Sequence, residues 1–132
     1  TEFKLKGLCR DIRMDCLHIG AISLAYVLPN PEWYVPPHSH TGFEIHIIPK
    51  GRGVINIEGT EFAVGPGEFY ITGPFVKHEQ TTDKSSPMGE YCLECDISII
   101  DEASTPAALQ QAQLIRRVLS GVYPRLLKMI RL

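Results

Sequence analysis

From residue 21 to residue 99 the chain is a series of short runs with alternating apolar side chains. Each run is cut off by a Pro- or Gly-rich turn, and no helical stretch intervenes. Ile22, Leu24, Tyr26 and Leu28 alternate and stop at Pro29-Asn30-Pro31. Residues 43–48 form the next run, closed by Pro49-Lys50-Gly51-Arg52-Gly53. Residues 54–57 and 62–64 flank Glu58-Gly59, a short hairpin connection. Gly65-Pro66-Gly67 leads into Phe69-Tyr70-Ile71, and Thr72-Gly73-Pro74 turns the chain into a strand at 78–82. An exposed loop, 83–87, precedes a last run from Glu90 to Ile97. Short strands in unbroken succession bury their apolar sides only by closing into a sandwich or barrel, so the fold class is all-β.

The pattern changes after Asp101. Ser104-Thr105-Pro106 offers a hydroxyl cap followed by proline at the first helical position. Ala108, Ala112, Ile115 and Leu119 then recur at helical spacing, and Gly121 is positioned to end that helix. Pro124 starts a second short helix carrying Leu126, Leu127 and Ile130 on one face. The expected organisation is a β-barrel over 1–102 and a helical segment over 103–132, with helices at 106–120 and 123–131. The two apolar stripes have to be buried, either back on the barrel or against a second copy of the chain.

A length of 132 residues is enough to close one core. No apolar run approaches the ~20 residues that span a bilayer, so no membrane partner and a cytoplasmic setting are expected. Charge is unevenly placed: residues 1–102 hold eight basic and all fifteen acidic side chains, while 103–132 hold five basic and none acidic. So few charges are read as solvated helix faces ahead of a path toward nucleic acid. Cys92 and Cys95 form a C-x-x-C on a strand. Odd spacing puts their sulfurs on opposite faces, and no second C-x-x-C is present to complete a zinc site.

The chemistry concentrates in His38-Ser39-His40-Thr41-Gly42-Phe43-Glu44. On an extended chain His38 and His40 point the same way. Glu44 shares their parity, and a bend near Gly42 can return its carboxylate to the imidazoles. Two imidazoles and a carboxylate suit Zn, Ni, Fe or Mn. A fourth donor has to come from elsewhere in the chain, and His78 is the best placed. The alternative is a hydrogen-bonded polar cluster without metal. His46 has the parity of Glu44 and can face the same interior, as effector contact or as core histidine. Trp33 and Tyr34, just before the motif, can stack on an effector or cap the barrel mouth.

These residues carry a family resemblance. His38, His40, Glu44 and Gly51 reproduce the first cupin motif, H-x-H-x(3)-E-x(6)-G. Residues 67–78 resemble the second, G-x(5)-P-x-G-x(2)-H-x(3)-N: Gly67 and His78 fall on pattern, whereas Gly73, Phe75 and Thr82 stand at its Pro, Gly and Asn. The Pro74–His78 wording resembles the N-terminal ligand-binding and dimerisation domains of AraC-type transcription regulators. The resemblance implies a cupin double-stranded β-helix, a jelly-roll barrel, followed by two C-terminal α-helices. It also implies metal ligands His38, His40, Glu44 and His78, a small polar effector such as a sugar, and a homodimer through the helices. Contact with DNA would be made by a helix-turn-helix domain absent from this chain. The same four ligands also serve free-standing metal-dependent cupin enzymes, dioxygenases or isomerases, so the fold alone does not choose between sensor and enzyme. The helical stripes and the Pro74–His78 wording favour the sensor, and no catalytic residue is assigned.

Overall fold

The structure, a computed structural model, describes residues 2–100 and 105–122. Among these residues nine strands run in chain order: β1 Glu2–Met14, β2 Leu17–Val27, β3 Tyr34–His38, β4 Phe43–Lys50, β5 Gly53–Ile57, β6 Thr60–Val64, β7 Glu68–Thr72, β8 His78–Thr82 and β9 Gly89–Ile99. They form two antiparallel sheets, a five-stranded one ordered β1-β2-β9-β4-β7 and a four-stranded one ordered β3-β8-β5-β6. The described part is therefore an all-β sandwich closing as a barrel, with one helix behind it. Among the described residues no helix is long and apolar enough to cross a membrane.

Residues 2–20 carry no functional pattern in the sequence, yet the structure makes them β1 and the start of β2, the two arms of a long hairpin. Asp15, at a φ of 54°, turns the chain between them. β3 contains Pro36 and Pro37, which cannot donate to a ladder. It sits at the edge of its sheet, where proline is tolerated.

The core lies between the sheets. Ile48 and Tyr70 from the larger sheet meet Ile55, Ile57 and Val64 from the smaller one, and Met88 fills the remaining gap. Burying each such side chain contributes about 1.5–3 kcal/mol. Gly51 of the first motif has a φ of +75°, and a Cβ there would run into the Pro87 carbonyl, so no larger residue fits.

A second apolar layer lies on the outer face of the larger sheet, where Leu17, Phe43, Cys95 and Ile97 pack under helix α1, Pro106–Arg117. Thr105 caps that helix, accepting the Ala108 amide at 3.1 Å, with Pro106 following as expected. The helix does not end at Gly121: it widens into one π-type turn, Val118–Val122, which contains that glycine. Gly73 lies so close to the Ser120 backbone that no Cβ would fit, which explains glycine where the second cupin motif has proline. The second helix expected at 123–131 lies outside the described residues.

Cys92 and Cys95 face opposite ways, as their spacing requires. Cys95 packs under the helix and Cys92 faces the barrel cavity.

Candidate metal centre

Strand pairing assembles the site. His38 in β3 is the register partner of His78 in β8. The loop leading to β4 carries His40, and Glu44 follows on β4. The Phe75 amide donates to the His40 carbonyl at 2.7 Å, tying the loop before β8 to the loop before β4. The imidazole rings converge, with centroids 4.2 Å apart for His38 and His78, 5.1 Å for His40 and His78, and 5.6 Å for His38 and His40. Each of the four residues brings one donor atom within 4.8 Å of all the others.

The Nδ1 atoms fix the ring states. Those of His38, His40 and His78 lie 2.9, 3.3 and 2.9 Å from the carbonyls of Pro36, Gly42 and Val76. A carbonyl only accepts, so each Nδ1 carries the hydrogen, and in the neutral ring each Nε2 presents a lone pair. Nε2 of His40 and of His78 are buried and lack any hydrogen-bond partner, although they stand 2.8 and 3.6 Å from Oε2 of Glu44. Burial opposes ionisation of Glu44, but the imidazoles of His46, His78 and His40 outweigh it and hold its carboxyl far below the usual range. In the neutral rings, lone pairs of His40 and His78 face that carboxylate with no hydrogen bond, and only a proton on a ring or a cation in the gap makes the imidazoles favourable partners for it. A cation in that gap resolves the conflict, and three imidazoles with one carboxylate suit a divalent transition metal.

Deeper in the barrel lies a second polar tier, of which the sequence pointed to His46 but not to its partners. His46 is 3% exposed, stacks on Tyr70 at 4.3 Å, and places Nδ1 2.8 Å from Oε1 of Glu90. Gln80 donates to Oε2 of Glu90 at 2.8 Å, and the Tyr70 hydroxyl reaches the same oxygen at 3.5 Å. Burial alone would lower the His46 pKa, but Glu90, with Cys92 and Glu44 nearby, holds it well above its ordinary value. Burial and the Glu90 charge push the Tyr70 hydroxyl up. Glu90 does not stand out in the sequence, because its strand also carries Glu94 and Asp96.

A cavity of about 160 Å³ joins the two tiers. Val35 and His38 of β3 and His78 and Gln80 of β8 line it together with Trp33 and Val27, and Lys4 and Glu2 of β1 also reach its wall. Trp33 and His46 therefore reach the cavity. Tyr34 does not: as the next residue along it points away, is 53% exposed and donates its hydroxyl to Glu79 at 3.2 Å. Of the helix stripe, Ala108, Ala112 and Leu119 pack on the chain's own sheet, and Ile115 remains 42% exposed beside Leu114 at 60%.

Phe75 occupies the position where the second cupin motif has glycine, and its φ is +63°, the left-handed region. It is 71% exposed, so little packing compensates. Phe75→Gly should therefore raise stability by up to about 1 kcal/mol, measured as a higher urea midpoint. An unchanged or lower midpoint would show that the Phe75 ring is held by contacts worth more than the strain.

Two facing antiparallel sheets with a His-x-His-x(3)-Glu cluster and a distant histidine define a cupin. The profile of the AraC-like ligand binding domain matches residues 23–131, and the chain belongs to that family. No curated protein sequence matches it significantly. Among solved structures, a cupin protein from Bacteroides fragilis is 24% identical with a TM-score of 0.53, covering 73% of this chain and 76% of that one. YhaK from Escherichia coli is 13% identical with a TM-score of 0.58, covering 76% and 52%. The DMSP lyase DddQ from Ruegeria pomeroyi is 20% identical with a TM-score of 0.49, covering 80% and 53%. At these identities the likeness concerns the fold alone.

Proposed function

We propose that this chain is the small-molecule-sensing and dimerising part of an AraC-type transcription regulator. In this reading residues 1–102 bind the effector and residues 103–132 join two copies. His38, His40, Glu44 and His78 hold a divalent transition metal (Zn, Ni, Fe or Mn), which when bound supplies a Lewis-acid contact for an effector oxygen. The observation that carries the metal is the pair of buried, unpartnered Nε2 atoms facing Glu44. The cavity is smaller than the roughly 300–1,000 Å³ of drug-sized pockets, which fits a small polar molecule such as a sugar. Trp33 offers it an apolar face, while Gln80 and the His46–Glu90 pair offer hydrogen bonds.

The test is incubation of the metal-loaded protein with sugars and simple aromatic acids, followed by mass spectrometry and calorimetry. Saturable binding with the ligand recovered unchanged is expected. Steady product formation with iron or manganese would instead indicate a metal-dependent cupin enzyme.

Dimerisation is assigned to the outward side of α1. Ile115→Asp should yield monomers in sedimentation with the fold intact, because Ile115 and Leu114 are the exposed apolar residues of the helix. Leu119→Asp should instead unfold the domain, since Leu119 packs against both apolar layers. A wild-type chain already monomeric at high concentration would remove this assignment.

A further inference from the structure

The inner faces of β4 and β9 hold a second donor set beside the first. Cys92 is the register partner of His46 across the β4–β9 ladder, and its thiol is free. Donor atoms of Glu44, His46 and Cys92 all lie within 4.8 Å of one another. Nδ1 of His46 is held by Glu90, and Glu90 is held in turn by Gln80. Nε2 is thereby aimed inward, 3.3 Å from Oε2 of Glu44 and 3.4 Å from the Thr72 hydroxyl. An imidazole fixed through one nitrogen by a buried carboxylate, with its other nitrogen facing further donors, has the carboxylate–histidine–metal arrangement.

We propose that Glu44, His46 and Cys92 form a second metal position, joined to the first through the Glu44 carboxylate. It depends on the reading above only in sharing that residue. Thiolate, imidazole and carboxylate together select a borderline cation of the Zn²⁺ or Co²⁺ kind over a hard one such as Mg²⁺ or Ca²⁺. On binding, the Cys92 S–H bond and the Nε2–H bond of His46 break, both protons leave to solvent, and the freed lone pairs of sulfur and Nε2 form the bonds to the cation, with no change of oxidation state. The competing occupant is a proton, which would make His46 an imidazolium between Glu44 and Glu90.

Cobalt separates the two, because only a thiolate ligand gives an intense near-ultraviolet charge-transfer band. Tag-free, chelator-treated protein is titrated with Co²⁺ and followed by absorbance and elemental analysis. Two equivalents are expected, one of them bringing the band. Cys92→Ser should lose the band and one equivalent while keeping the other, and Cys92→Ala should do the same, which guards against misfolding of either variant. His78→Ala should keep the band. One equivalent without a band in the wild type, or a band that survives in both Cys92 variants, would overturn the second position while leaving the first in place. A protein that binds no Co²⁺ at all would remove both.

Discussion

His78→Ala should leave the protein with under about a tenth of the wild-type metal at the first position, and with a lower melting temperature. His78 stands 34 residues beyond Glu44 in the chain and reaches the other donors only when β8 pairs with β3. The unfolded chain cannot gather the four donors, so a bound ion stabilises the folded state by mass action. At a free metal concentration 100-fold above Kd that amounts to about 2.7 kcal/mol. The natural control is His18→Ala: His18 contacts Asp11 and Ser98 on another part of the sheet and should leave metal content unchanged. Imidazole binds metal only when deprotonated, so loading of the wild type should fall as the solution is acidified. Tag-free protein that carries no metal, and whose melting temperature does not respond to chelator, would reduce the four residues to a polar cluster.

Glu90→Ala should cost about 3–5 kcal/mol, because it strands a buried partner charge. His46 and Glu90 side chains are each 3% exposed, so water cannot substitute for the lost carboxylate. The pH dependence identifies the cause. His46 has a raised pKa in the folded state, so its stabilisation is complete below its ordinary value of 6.5 and declines as pH rises through the folded value. Glu44 has a lowered pKa, so its contribution is complete above 4.5 and is lost as pH falls. The metal-free protein should therefore be most stable between about pH 4.5 and 6.5. Within that window the Glu90→Ala penalty should be larger than at pH 8.5, where His46 gives up less by losing its partner. A penalty independent of pH, read from denaturant midpoints, would mean that Glu90 acts through packing alone.

Most of the barrel and the first tier of donors can be read from the chain itself. The alternating runs at 43–48, 54–57 and 78–82 became β4, β5 and β8 because period-two patterning and glycine- or proline-rich turns are local signals. The four donors were legible because three of them share one short stretch. The second tier was not, since what makes His46 and Glu90 a pair is β4–β9 register across 44 residues, which no local pattern specifies. β1 escaped because the alternation of Phe3-Lys4-Leu5-Lys6 lasts only four residues and is broken at Gly7, where the pairing with β2 shifts register. The helix stripe was read correctly as apolar. Its partner depends on the sheet face behind β4, which sequence periodicity does not reveal.

That sheet is one residue thick where the chemistry sits. Phe43 lies under Ala112 of the helix, and the adjoining Glu44 belongs to the donor cluster on the opposite side. The same alternation separates Cys95, beneath the helix, from Cys92, facing the cavity. The single peptide that joins Phe43 to Glu44 thus carries a ring of the helix-facing layer on one side and a donor carboxylate on the other. The wall of the cavity and the seat of the helix are therefore two faces of the same strands, and a substitution in β4 or β9 changes one or the other according to its parity.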